Sequence, residues 1–251
     1  MSQLMFYQRI VPLNKDQHRN LRLKPLTEGA YRYAAETPFV PLAGTEFMTA
    51  ARQLPILFSG DPESCNALAL MGLNDGSNLF VDESGNWPRD TYIPAFIRRY
   101  PFVIAGKDGD ENFTVCIDAD WQGFNEEDGE RLFEDSGEQT PYLGRVLGFV
   151  QQYHAEMQAT QAFIKRLTEL ELLIRRDLQL TGPDGKTAVL RDFRVIDESK
   201  FVTLPGEQIV EFHEAGWLPW VYAHLMSLAN LTALHQRLAP APASASANTL
   251  Q

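Results

Sequence analysis

The apolar positions of this chain change period near its middle. Up to about residue 138 they come in short runs or alternate, as strands require. Beyond Pro141 they recur every three or four residues, as helices require. Met5 to Val11, Leu21 to Leu23 and the aromatic alternation Tyr31-Arg32-Tyr33 predict strands. Pro38 and Pro41 bracket an extended Phe39-Val40. Thr45 to Gln53 predicts a short helix, with Phe47, Ala50, Ala51 and Leu54 at core spacing and Pro55 as its stop. Ile56-Leu57-Phe58 is a strand closed by the turn Ser59-Gly60-Asp61-Pro62. Ala67 to Leu73 and Leu79-Phe80-Val81 are further apolar runs, and Gly85 to Pro88 is turn chemistry. Phe102 to Ala105 and Phe113 to Ile117 predict a hairpin across the turn-forming residues Gly106 to Asn112.

In the second half, Leu143, Val146, Leu147, Val150, Tyr153, Met157, Ile164, Leu167, Leu170 and Ile174 share one helical face. They predict a helix of about 30 residues, capped by Thr140 with Pro141 in its first turn. Leu178 to Leu180 and Ala188 to Leu190 flank Thr181 to Lys186, a second hairpin signal that Phe193 to Ile196 extends. Pro205 to Glu214 reads as a helix. After a break at Gly216 so does Leu218 to Leu238, with Val221, Leu225, Leu228, Leu231, Thr232, His235 and Leu238 as its face. The pattern predicts an α+β fold: a β-rich N-terminal half with antiparallel hairpins, packed against a helix-rich C-terminal half. Residues 1–239 read as a single domain without repeat or linker, and 240–251 as a disordered Pro/Ala/Ser tail.

Charge adds one feature. The 251 residues hold 22 Lys+Arg against 33 Asp+Glu, a net charge of −11. Between Asp108 and Glu138 stand twelve acids and one base, Arg131, so this segment carries the whole imbalance. An acidic balance disfavours non-specific binding to nucleic acid or anionic lipid. Asp118-Ala119-Asp120-Trp121-Gln122-Gly123 begins like a calcium loop but has Gly129 where a bidentate Glu is needed, so the segment reads as solvated acidic loop. A basic partner surface is the other reading. Cys65 and Cys116 cannot build a disulfide framework. No positively charged and apolar leader opens the chain, and no apolar run nears the ~20 residues of a membrane span. The expectation is a cytoplasmic protein.

Three stretches carry a family resemblance. They are Asn78 to Asp82 with Gly85 and Trp87; Tyr92 to Phe102, YIPAFIRRYPF; and Gly216 to Ser227, GWLPWVYAHLMS, followed by Asn230. Together with Pro55-Ile56-Leu57-Phe58 and Leu132-Phe133 after Gly129, the chain resembles the SapC family of bacterial proteins from about Tyr7 to Leu238. The resemblance implies no activity or catalytic residue. It implies genomic association with flavin-dependent halogenase-like, cupin-like and TonB-dependent receptor proteins, and so a part in handling a peptide, a surface protein or a transported compound.

Candidate chemistry is sparse. Arg89, Arg98 and Arg99 lie among Trp87, Tyr92, Phe96, Tyr100 and Phe102. Guanidinium groups grip carboxylates bidentately and stack on rings, so Arg89, Arg98, Arg99, Trp87 and Tyr92 form a candidate partner- or anion-binding site. The competing reading pairs the arginines with the acidic segment, at Glu127 or Asp128. His224, Ser227 and Asn230, with Tyr222 nearby, lie close together on the last helix. A Ser–His nucleophile needs an orienting acid and an oxyanion donor, and no GxSxG elbow occurs, so they read as hydrogen-bonded core fixtures or an interface seam. His18, His154, His213, His224 and His235 are scattered without metal-ligand spacing. Neither GxxxxGK[ST] nor a GxGxxG after a strand occurs. No cofactor is expected, and any flavin belongs to another protein.

The first functional expectation is a non-enzymatic accessory protein that binds a protein or peptide partner through Trp87 to Phe102. The alternative is an enzyme of unrecognised mechanism, with a pocket between the β-rich half and the last helix. A third is a homodimer built on helices 141–175 and 217–238.

Overall fold

A computed structural model describes residues 5–61, 63–73, 76–105, 114–181 and 187–238. Its strands are β1 (Ile10–Pro12), β2 (Arg22–Leu23), β3 (Phe39–Pro41), β4 (Ile56–Ser59), β5 (Asn66–Leu70), β6 (Phe102–Ala105), β7 (Thr114–Asp118), β8 (Phe124–Asn125), β9 (Glu130–Arg131), β10 (Leu173–Thr181) and β11 (Thr187–Ile196). Its α-helices are α1 (Phe47–Ala50), α2 (Ala95–Arg98), α3 (Pro141–Glu169), α4 (Glu198–Phe201), α5 (Gly206–Glu214), α6 (Leu218–Ser227) and α7 (Asn230–Gln236). The α+β expectation holds. Among the described residues every strand pairing is antiparallel, most strands precede residue 138, and most helical residues follow it.

Three sheets form. The largest has the order β10-β11-β4-β5-β3, so the late hairpin β10–β11 joins the early strands. The others are β1-β7-β6 and β8-β2-β9. The major core lies between the five-stranded sheet, α1, the second half of α3 and helices α5 to α7. A second core gathers Leu23, Phe102, Ile117, Leu132 and Phe133 around Leu143 and Val150 of α3. The long helix therefore serves both cores, and Phe149 packs against each of them.

The start of α3 follows its sequence signals, because the Thr140 hydroxyl accepts the Leu143 amide and Pro141 occupies the first turn. Its end differs from the expectation, since Leu170 to Ile174 do not continue the helix. Glu171 takes φ +50 and donates to the Thr168 carbonyl, while the Leu172 amide donates to Leu167, a Schellman closure. Ile174 then lies in β10. At the end of α5 the same closure uses Gly216 at φ +71, with Gly216 donating to His213 and Trp217 to Phe212.

Other predicted strands are also corrected. Met5 to Val11 is extended only from Ile10, because Phe6 takes φ +78 and the Gln8 and Arg9 amides bind the Asp118 carboxylate. Tyr31-Arg32-Tyr33 is no strand; Gly29 at φ +67 turns the chain and Arg32–Ala34 form a 3-10 turn. The apolar run Leu79 to Val81, to which the sequence assigned no element, forms a turn and bend, because the Asn78 side chain accepts the Phe80 amide and donates to the Ala34 carbonyl. The helix expected over Leu218 to Leu238 breaks between Ser227 and Asn230; of the predicted face Val221 is buried and Leu225, Leu228, Leu231 and Leu238 pack partly buried against the major core, while Ala223, His224, Ser227 and Leu234 are buried positions outside that face. The loops at 106–112 and 182–186, Pro62, the acids Asp108, Asp110 and Glu111, and the tail 240–251 lie outside the described residues.

Candidate functional site: an arginine and aromatic cleft between the two cores

Tyr142, Arg145, Val146 and Phe149 occupy one face of α3, at the i, i+3, i+4, i+7 spacing that aligns side chains along a helix. Opposite them the chain leaves α2 through Arg98, Arg99, Tyr100 and Pro101 and enters β6. The segment from Pro25 to Tyr33 and the ring of Trp121 complete the walls of a cavity of about 500 Å³. Three of its lining residues are arginines, Arg98, Arg99 and Arg145, and none is an acid. Rings dominate the remainder. Tyr33 stacks on Tyr100 with centroids 4.1 Å apart, and Trp121 meets Tyr100 edge-on. A glycine at 123 lets Trp121 fold back, since a Cβ there would lie 2.2 Å from the indole.

The guanidinium groups rest on rings rather than carboxylates. Arg99 lies 4.1 Å from the Phe96 ring centroid and 5.3 Å from that of Tyr153, and its Nε is buried with no hydrogen-bond partner. Arg98 lies 5.1 Å from Phe149 and 5.8 Å from Tyr92, and its Nε donates to the Ile93 carbonyl. Arg145 lies over Tyr142. Cation–π contacts hold a guanidinium plane in place without neutralising it. Among the described residues no ion pair engages Arg98, Arg99 or Arg145. The expected pairing with Glu127 or Asp128 is not made. Asp128 binds Lys24 at 2.7 Å, and Glu127 only donates its amide to Asn125.

One internal carboxylate stands behind the cleft. Glu46 is buried and accepts the Ala43 and Ala95 amides and the Tyr92 hydroxyl. Burial pushes its carboxyl above the usual range, against the pull of these donors and of Arg98. The Tyr92 hydroxyl in turn receives a long 3.4 Å contact from Arg98, which therefore reaches Glu46 only through an intervening phenol. Glu46, Tyr92, Arg98 and Phe149 line a further cavity of about 320 Å³ on the other side of Arg98. Burial raises the Tyr7 phenol to about 12, while the Arg99 charge acts against that rise.

A larger cavity, of about 750 Å³, shares Leu26, Tyr33, Tyr100 and Trp121 with the arginine cleft. Its charged residues are Glu28, Glu83, Asp120 and Arg32. A small pocket of about 180 Å³ adjoins Cys65 and Arg194.

Of the residues singled out in the sequence, the fold brings together Tyr92, Arg98 and Arg99. Trp87 is elsewhere: it is buried, stacked on Phe80 at 5.5 Å and edge-on to Tyr31. Arg89 is exposed and lines none of these four cavities. Arg145, Tyr33 and Trp121 escaped the sequence reading. The Tyr142-Arg145-Phe149 spacing pointed to Arg145 alone, and only with knowledge of which face of α3 turned toward Arg98; nothing local pointed to Tyr33 or Trp121.

Asp118 is not part of a solvated loop. It is fully buried at the end of β7, where its carboxylate accepts the Gln8, Arg9 and Asp120 amides and the Tyr100 hydroxyl. This fixes Tyr100 in the cleft wall. Among the described residues no group of three or more His, Cys, Asp and Glu could hold a metal ion.

His224 and Ser227 are core fixtures. The Ser227 hydroxyl accepts the Ile56 amide and donates to the His224 carbonyl, and His224 Nε2 accepts the Ile196 amide. These two amides lie just past the end of the β4–β11 ladder, so α6 satisfies the strand amides there. Burial lowers the imidazole to about 3, which keeps it neutral. Asn230 similarly donates to the Ala51 and Leu54 carbonyls. None of the four cavities is lined by α6 or α7. No helix among the described residues is long and apolar enough to cross a membrane.

A family model described as SapC matches residues 13–234, and the chain belongs to that family. No curated protein and no solved structure matches it.

Proposed function

We propose that this SapC-family chain is a non-enzymatic binding protein that holds an acidic, aromatic-bearing segment of a protein or peptide partner in the Arg98–Arg99–Arg145 cleft. The observation that carries the reading is the combination of three guanidinium groups, many rings and no lining carboxylate in one cavity. A protein that held these charges only for stability would pair them, as Arg166 is paired with Glu211 at 2.8 Å. Here rings orient the guanidinium planes and leave their outer edges for a ligand carboxylate. The volume of about 500 Å³ suits a few residues of extended chain.

No group in the cleft is placed as a nucleophile with its base. The Tyr33 and Tyr100 phenols are raised above their ordinary range by burial, so they act as neutral hydrogen-bonding groups. Binding is therefore the chemistry the site supports. The partner classes implied by the family resemblance, halogenase-like, cupin-like and TonB-dependent receptor proteins, are where such a segment is to be sought.

Titration calorimetry with a blocked peptide, Glu-Glu-Ser-Phe-Ser-Glu-Glu, tests the reading. The parent chain is expected to bind it, and the Arg98→Ala/Arg145→Ala variant to bind about tenfold or more weakly. Equal affinity of the two proteins, or no binding by either, contradicts the proposal.

A further inference from the structure

The arginine cleft does not end at its rings. The cavity of about 750 Å³ on the far side of Tyr33, Tyr100 and Trp121 has the opposite charge character. Glu28 and Glu83 line it and are exposed, with no ion pair among the described residues. Asp120 is held by Arg9 at 2.8 Å, and Arg32 is engaged with the Ser84 carbonyl. The two cavities therefore meet at a shared wall of Leu26, Tyr33, Tyr100 and Trp121, with arginines lining one side and carboxylates outnumbering Arg32 on the other.

From this polarity we infer that the partner segment is bipolar: an acidic residue for Arg98, Arg99 and Arg145, an aromatic residue at the Tyr33–Tyr100–Trp121 waist, and a Lys or Arg for Glu28 and Glu83. The inference rests on the binding reading above and adds the basic end. Like charge at either end opposes the wrong register, so the pair of cavities also selects the direction in which the segment lies. A single free amino acid carries both its charges on one carbon and cannot reach both ends, and the combined volume is that of an oligopeptide site. The site's own acids account for the preference: a uniformly acidic segment that satisfies the arginines meets Glu28 and Glu83 at its other end.

Four blocked peptides make the test in calorimetry at low salt: Glu-Glu-Ser-Phe-Ser-Lys-Lys, its reverse, and the analogue of each with Gln in place of Lys. In one of the two directions the Lys peptide is expected to bind about five- to tenfold tighter than its Gln analogue. Glu28→Gln/Glu83→Gln should erase that difference between the Lys peptide and its Gln analogue. If Lys and Gln peptides bind alike in both directions, yet both weaken in Arg98→Ala/Arg145→Ala, the bipolar inference falls and the anion-binding reading stands. If no peptide responds to the arginine substitutions, both fall.

Discussion

The guanidinium carbon of Arg99 sits 4.1 Å from the ring centroid of Phe96, three residues back on the same short helical turn. The Tyr153 ring of α3 lies 5.3 Å from it. A charge held against rings keeps its orientation and gives up little of its capacity to bind an anion. Arg99 is half-buried, its Nε has no partner, and it lines the cleft. This arrangement is the physical basis for reading the cleft as a recognition site.

Arg99→Lys separates charge from planarity. A lysine keeps the charge but presents a single ammonium in place of the stacked fork. The variant is expected to lose several-fold affinity for an acidic aromatic peptide. Unchanged affinity measured by calorimetry would show that the fork plays no part.

Gly123→Ala should disturb the cleft without touching an arginine. A Cβ at 123 would meet the Trp121 ring at 2.2 Å, so the indole must move off the aromatic waist. The expected result is a changed tryptophan emission spectrum together with weaker peptide binding. A spectrum and affinity both like the parent's would argue that Trp121 is not held by this contact.

The seam between α6 and the sheet predicts a pH dependence. Folded His224 titrates near 3 and an unfolded histidine near 6.5, so the unfolded chain takes up a proton that the folded chain refuses. The folded state therefore loses stability as pH falls from about 6.5 toward about 3, by up to about 1.4 kcal/mol per pH unit from this group. His224→Gln cannot take up that proton. Its destabilisation relative to the parent should shrink as pH is lowered from 7 to 4.5 in urea titrations. A constant difference across that range would remove His224 from the account. Ser227→Ala, which strands the buried Ile56 amide, should cost about 1–3 kcal/mol at any of these pH values.

Glu171→Gly should stabilise the chain. A non-glycine residue at φ +50 carries a steric penalty that glycine lacks, and glycine is the usual residue at this place in a Schellman closure. The gain is expected to be about 0.5–1 kcal/mol, less the contact Glu171 makes with Lys200. A lower melting temperature would indicate that the Lys200 contact outweighs the backbone strain.

The two Schellman closures mark where sequence patterning stops being informative. Gly216 announces its own, and the break after Glu214 was legible. Glu171 performs the same turn with a residue whose local preference is helical, so the apolar spacing through Ile174 reads as continued helix. Tyr31 to Tyr33 failed for a related reason: the alternation is real, but Gly29 and the Gly85 carbonyl bend the chain into a turn before a strand can form. The hairpin of β6 and β7, the cap at Thr140 and the core role of His224 and Ser227 follow from local chemistry and were readable. The cleft was half readable. Arg98 and Arg99 lie within one short motif, with Tyr92 beside Arg98 in the adjoining cavity, whereas Arg145, Tyr33 and Trp121 come from three distant segments that only the tertiary packing brings together.

The most direct test is a ¹⁵N-HSQC titration of the chain with Glu-Glu-Ser-Phe-Ser-Glu-Glu. Saturable shifts confined to the amides around Tyr33, Arg98 to Phe102, Trp121 and Tyr142 to Phe149, abolished in Arg98→Ala/Arg145→Ala, are the predicted result. Shifts centred instead on the exposed Tyr222 and Met226 of α6, or none at millimolar peptide, would contradict it.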